Sequence, residues 1–422
     1  MTVGIAKLPR PGFVYWTAYS APEGSSQPAD PLRFDMYAQR LGNLLLPGIT
    51  NRTERLRYLS MVCAGIATTS GAGQGTLREQ RQAFLPFERG WALAMTVSVD
   101  GELKGRDGGE GPKRSLKPEF RGLRGANRVL THYRTLRDGK SINPTRYVLL
   151  KAQDAQGGLG AYLVTLRQFK FVQDDSLDLT ALGHELVNAF KPKRRGRRLT
   201  TLAESDPVPR SALSRLGEDL SLGAPGAEEK AIVREAVFSD ERQPVADCIR
   251  RMRTARPDSD DPRVLLEAIA RSDGDPLERA ARFSVAFDPM RIALLQTFSR
   301  LGGALSVQPG SVDLESILTP EMEEAAESAR EGAGRLANCP AVPGLAPVSD
   351  LAQEIAGGSS VLDTVRSTVA FHRREGRAWI VADGPNRYSV GHHGPFDEPL
   401  DEFNGYTVGR AMQLFADTEA VS

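Results

Sequence analysis

The chain has little of what staples small secreted folds or anchors membrane proteins. Three cysteines, Cys63, Cys248 and Cys339, are scattered over 422 residues. An odd and widely spaced set excludes a disulfide framework and a cysteine zinc cluster, and suits reduced thiols used as small core residues. Long apolar runs are missing: "LSMVCAGIA" from Leu59 to Ala67 is typical and falls far short of the ~20 residues that span a bilayer. No membrane segment is therefore expected. The opening "MTVGIAKLPRPGFVYW" lacks the basic region, apolar run and small-residue cleavage site of a secretory signal, so a cytoplasmic location is expected. The five histidines include no HxxxH or HxxH pair. The glycines of "SGAGQGT", Ser70 to Thr76, follow a helical pattern and lack a Gly-Lys-Ser/Thr ending, so they form neither a P-loop nor a dinucleotide fingerprint. No cofactor and no metal site are expected.

What is present is an ordinary globular composition at a length where one core stops growing, which implies two to four domains. Net charge is +1, yet it is unevenly placed. From Gly101 to Thr200 there are 21 Lys+Arg against 10 Asp+Glu, a balance of +11, which leaves −10 for the rest. Such asymmetry points to a polyanion-facing surface or to contact with an acidic partner, rather than to a small neutral substrate.

Periodicity makes the chain mainly α-helical with small β elements, an α+β multi-helical protein. "GFVYWTAYS", Gly12 to Ser20, reads as a leading strand. Helices follow at Asp35 to Leu46, at Thr50 to Thr68 with Thr50 or Asn51 as cap, and at Thr76 to Val97. Gly101 to Pro112 reads as a surface loop. From Asn143 to Phe190 the pattern fits a winged-helix-like module. Asn143 caps and Pro144 opens a first helix, Leu159, Tyr162, Leu163 and Leu166 stripe a second, "QDDSLDLT" is a short wing, and Thr180 caps a third. Its basic tail is "KPKRRGRR", Lys191 to Arg198. Asp206-Pro207 and Pro209 place a boundary near Ser205. Pro262 to Arg271 and Pro276 to Leu301 read as helices, and Ser311 to Asp363, with ten acids against two arginines, as an acidic connector. The tail reads as helix Val361 to Glu375, strands Ala378 to Asp383 and Arg387 to Val390, and helix Thr407 to Asp417, a β-hairpin/helix unit. The expected domains are residues 1–135, 136–200, 206–340 and 355–422.

A helix turned into the major groove needs an apolar back and a basic front, with further cations on flanking phosphates. Leu159, Leu163 and Leu166 supply the back; Arg146, Lys151, Arg167, Gln168 and Lys170 supply the front. Lys191, Lys193, Arg194, Arg195, Arg197 and Arg198 would reach phosphates of duplex DNA. The bland alternative is a solvated charged face or a protein-binding module. Asp100, Glu102 and Lys104 in "DGELKG" are reminiscent of metal-dependent nucleases, with poor spacing for that chemistry. His392, His393, His372, Asp397 and Glu398 are close in sequence but lack ligand spacing, and read better as polar loop residues. In "GGSS", Ser359 or Ser360 caps a helix rather than forming a nucleophile elbow.

Two pieces, "LLLPGITNRTERLRYLSMV" and "HRREGRAWIVADG…FNGYTVGRAMQLFAD", resemble poorly characterised bacterial proteins encoded in anti-phage defence and DNA-mobility neighbourhoods. Those pair a Pro-Gly-x-Thr…Arg-x-Arg-Tyr helix with a terminal Trp hairpin. The resemblance covers about a sixth of the chain and implies work within a multi-subunit system. It implies no activity, and Arg55, Arg57, Tyr58 and Trp379 also suit packing roles. The leading expectation is a DNA-associated, non-catalytic component of a defence or DNA-processing complex, with other protein subunits as partners. A metal-dependent nuclease and a purely protein-binding scaffold are the alternatives. Trp379 is expected to be mostly buried under its hairpin, beside Ile380 and Tyr388.

Overall fold

Short polar side chains and prolines start the helices of the C-terminal half. Asp261, Asp275, Thr319 and Ser360 each accept a hydrogen bond from a backbone N–H of the first turn, and proline occupies the opening turn after the first three. The computed structural model describes residues 30–53, 55–70, 76–98, 123–136, 140–191, 198–240, 244–270, 274–391 and 405–419. The strand expected at Gly12 to Ser20 and the loop at Gly101 to Pro112 lie outside them. The described chain is mainly helical with two small antiparallel sheets. No helix of the described residues is long and apolar enough to cross a membrane.

In the N-terminal half, α1 (Phe34–Leu45), α2 (Leu56–Thr69), α3 (Leu77–Ser98) and α4 (Ala126–Thr135) are followed by the two-residue strand β1 (Ser141–Ile142). Next come α5 (Gln153–Gln156), α6 (Gly158–Gln168) and α7 (Ala181–Phe190), then β2 (Val208–Pro209), α8 (Arg210–Asp219) and α9 (Ala227–Phe238). Helix α2 is apolar on every side and buried from Leu56 to Ile66, packed on α3, α6 and α7. Helix α3 runs beside α8 and beside the 199–203 turn, and glycine permits both approaches: a Cβ at Gly217 would sit 2.0 Å from the Ala94 carbonyl oxygen, and one at Gly90 1.8 Å from that of Leu202.

In the C-terminal half lie α10 (Pro244–Ala255), α11 (Pro262–Ile269), the 31-residue α12 (Pro276–Ser306) and β3 (Val312–Asp313). They are followed by α13 (Pro320–Ala337), α14 (Ala346–Gly357), α15 (Val361–Arg374), β4 (Ile380–Ala382), β5 (Arg387–Val390) and α16 (Val408–Thr418). Helix α13 packs along α12 and carries α14 on its other side. The sheet order is β3-β5-β4, with Val312 opposite Tyr388 and Ile380 opposite Val390. The end helices cross over. Helix α1 packs on α12, Phe34 meeting Phe287 edge-on at 5.5 Å and Phe371 stacked at 5.7 Å, while α16 packs on α2 and α9. One contiguous apolar core runs through both halves.

Several expectations change. Ser311 to Asp363 is not a connector. Ala325, Ala326, Ala329, Gly332, Ala333 and Leu336 form the buried stripe of α13, where small residues let it lie against α12: a Cβ at Gly332 would be 2.8 Å from the Met290 backbone. The acids occupy the outer faces. Helix α2 starts at Leu56, not Thr50, because Thr50, Thr53 and Thr165 join hydroxyls at 2.9 and 2.8 Å and Thr165 donates to the Gly48 carbonyl, holding 48–53 as a turn. Residues 204–207 are exposed, but the chain is tied down on either side of them: Leu202 is buried against α3, and Val208–Pro209 pairs with Ser141–Ile142. Trp379 is only half-buried, because the two-residue alternation turns its neighbour Ile380 and the facing Tyr388 inward. Ser360 does cap α15, bonding Asp363 reciprocally, while Ser359 Oγ donates to the same carboxylate. Cys63 and Cys248 are fully buried and Cys339 half-buried, all as free thiols.

Candidate nucleic-acid interface

The segment read as a winged helix begins on a turn rather than a helix. Asn143 Oδ1 accepts from the backbone N–H groups of Thr145 and Arg146, both at 3.0 Å, which closes an Asx turn and competes with helix formation. Regular helix starts only at Gln153. The loop is fastened to α3: Tyr147 donates to the Arg89 carbonyl at 2.8 Å, and Arg89 Nε donates to Gln153 Oε1 at 2.9 Å.

The next helix begins on a buried carboxylate. Glu88 Oε1 accepts from the first N–H of α6, that of Gly158, at 2.6 Å, and Oε2 accepts from Gln153 Nε2 at 3.0 Å. The positive end of a helix suits an anion, so Glu88 fixes where α6 starts. Burial nevertheless pushes the Glu88 carboxyl up, against those bonds. Gly157 is needed for closeness rather than for its torsions: a Cβ there would lie 2.5 Å from both Gln153 O and Glu88 Oε2. Beside it, Tyr58 stacks on Tyr162 at 4.9 Å and accepts from the Arg124 backbone N–H at 2.6 Å.

Between α6 and α7 a single bridge, Val172 to Leu179, takes the place of a wing, and Thr180 caps α7 through the Gly183 N–H. Helices α6 and α7 each pack on α2. Leu159, Leu163 and Leu166 are the buried back, as expected. The front is divided. Arg167 turns back on the connecting loop, donating to the carbonyls of Gln173 at 3.2 Å and Ser176 at 3.0 Å, and burial lowers its pKa. Lys170 pairs with Asp174 at 3.0 Å, and Lys191 donates to Asn188 Oδ1 at 2.7 Å. Gln168 is exposed, its stem against Gly48. Arg146, Lys151 and Arg198 are exposed and meet no carboxylate among the described residues. Lys193, Arg194, Arg195 and Arg197 lie outside the described residues, as do Asp100, Glu102 and Lys104.

The expected front missed Arg134 and Lys140. Both are exposed, Arg134 on the helix whose His132 ring stacks on Tyr147 at 4.6 Å and Lys140 directly before β1. Their charge was visible in sequence; that α4 meets the 143–151 loop through that stack, and that β1 pairs with β2, was not.

The motif arginines are structural. Arg55 Nε meets Asp417 at 3.1 Å, and Arg57 meets Glu229 at 2.8 Å and the Asp219 carbonyl at 3.0 Å, all largely buried. The two motifs, far apart in sequence, therefore touch through Arg55 and Asp417. His372 is fully buried, with Nδ1 2.7 Å from the Pro31 carbonyl and Nε2 accepting from the Trp379 N–H at 3.0 Å. The neutral ring donating through Nδ1 satisfies both contacts and has no nitrogen left for a metal. His392, His393, Asp397 and Glu398 lie outside the described residues. Among the described residues no group of three or more His, Cys, Asp and Glu side chains is placed to hold a metal ion.

Comparison of the chain with protein-family models, with curated proteins and with solved structures returns no match.

Proposed function

We propose that the protein binds duplex DNA through its phosphates and acts, without catalysis of its own, as a component of a bacterial defence or DNA-processing complex with other protein subunits. The observation that carries the binding half is the presence of Arg146, Lys151 and Arg198 as exposed cations with no described carboxylate partner, in a stretch whose charge balance is +11. Exposed unpaired cations contribute little to folding and are available to phosphates. The setting within a complex rests on the resemblance of the two motif segments alone.

Filter binding of duplex DNA tests the reading. Each neutralised phosphate releases condensed counterion, so affinity falls about a thousandfold between roughly 50 and 200 mM salt for six or so contacts, with weak sequence preference. Replacing Lys193, Arg194, Arg195, Arg197 and Arg198 together with Ala flattens the salt slope by several units and leaves Tm nearly unchanged. Salt-independent retention, or none, overturns the reading in favour of a protein-binding scaffold.

A further inference from the structure

The two ends of the α5–α7 region differ in sign. At one end, the loop from Gln173 to Leu179 carries Asp174, Asp175 and Asp178, all exposed. A wing that follows a DNA backbone needs cations, and this one presents carboxylates. The cations nearest in sequence are already engaged, Arg167 with the loop carbonyls and Lys170 with Asp174. At the other end four links gather separate segments. His132 of α4 stacks on Tyr147, Lys140 O accepts from the Arg210 N–H at 3.0 Å, Asn143 Nδ2 bonds the Ser205 carbonyl, and β1 pairs with β2. Tyr147 and Leu202 also rest on adjacent positions of α3, Arg89 and Gly90. Arg134, Lys140, Arg146 and Lys151 are exposed around this junction with no carboxylate partner among the described residues. Asp154, Glu204 and Asp206 are exposed nearby and are outnumbered once Arg198 is included.

We infer that the DNA-contacting face is this junction of the α4 end, the 143–151 loop and the 198–206 segment, and that α6 does not enter the groove. The inference rests on the DNA-binding reading above. It makes contact a matter of charge along the phosphate backbone, with Arg134 and Lys140 as new members, and turns the acidic α6–α7 loop away from the duplex.

Salt-dependent filter binding on one duplex, with thermal melting of each variant, tests it. The variant combining Arg134→Ala, Lys140→Ala, Arg146→Ala and Lys151→Ala loses affinity by roughly thirtyfold or more near 100 mM salt, and its salt slope drops by about three to four units. The variant combining Arg167→Gln, Lys170→Gln and Lys191→Gln stays within about twofold of wild type. Arg134→Lys with Arg146→Lys also binds within about twofold, since phosphates read charge. If wild type binds but the Arg167 set carries the loss, or both sets lose equally, the inference fails while the DNA-binding reading stands. Wild type without salt-dependent binding overturns both.

Discussion

In the C-terminal half Arg251 meets Asp275, Asp247 and Glu278 at 2.5, 2.8 and 3.4 Å, and Arg291 meets Asp288 at 2.7 Å. In the N-terminal half Arg146 and Lys151 meet no described carboxylate, while Arg55 and Arg57 of the same half are buried in pairs. Charge near the helix junctions is paired within the fold, whereas the cations of the 143–151 loop are exposed and meet no described carboxylate. The lesson is that a regional charge count mixes cations with opposite uses, and only their partners separate them.

The largest expected effect is on the buried pairs. Arg57→Ala leaves Glu229, which is 1% exposed, as an uncompensated buried carboxylate and costs about 3–5 kcal/mol in urea unfolding. Adding Glu229→Gln recovers part of that loss; a double variant no more stable than the single one breaks the contrast between the two kinds of arginine.

Next is Asp417→Ala, which removes the partner of Arg55 and the acceptor for the Leu56 N–H at 3.1 Å. A loss of about 2 kcal/mol is expected by the same measurement, tying the chain's last helix to its second.

A smaller pair of effects separates the halves by pH. Burial raises the pKa of Glu88, so its contribution is complete below the unfolded value near 4.3 and is lost as pH rises through the raised folded value. Burial lowers the pKa of His372, so its contribution is complete above the unfolded value near 6.5 and is lost as pH falls through the lowered folded value. Relative to wild type, Glu88→Gln should therefore gain stability as pH rises and His372→Gln as pH falls. Chemical denaturation of the three proteins across this range checks it, and slopes of the same sign contradict it.

The smallest effects are on exposed charge. Arg374→Ala removes the exposed pair with Glu354, and Arg146→Ala removes a cation with no described partner; each should shift stability by less than about 0.5 kcal/mol. Only Arg146→Ala should weaken retention of duplex DNA, and equal binding by the two variants would place Arg146 with the merely solvated charges.

Much of the fold was legible locally. Prolines after Asp261 and Asp275, the Ser360–Asp363 box and the 3.6-residue apolar spacing act within one turn of chain, so α11, α12 and α15 appear close to where the pattern puts them. Helix α13 was hidden because alanine and glycine carry too little apolar signal to mark a buried face, although their smallness is what allows contact with α12. The Asn143 turn was misread because one side chain can cap a helix or close an Asx turn, and the adjoining α3 contacts select the second.

By itself the sequence determined the helical class, the caps Thr180 and Ser360 and the concentration of positive charge between Gly101 and Thr200. The tertiary structure alone decided which of those charges are internal. Arg167 points into its own loop, Arg55 finds Asp417 across 362 residues, and α4 meets the 143–151 loop through the stack of His132 on Tyr147. Caps and periodicity are set by neighbours in the chain, whereas an ion's partner is set by packing between distant elements, at ranges of a few ångströms that no spacing along the sequence encodes.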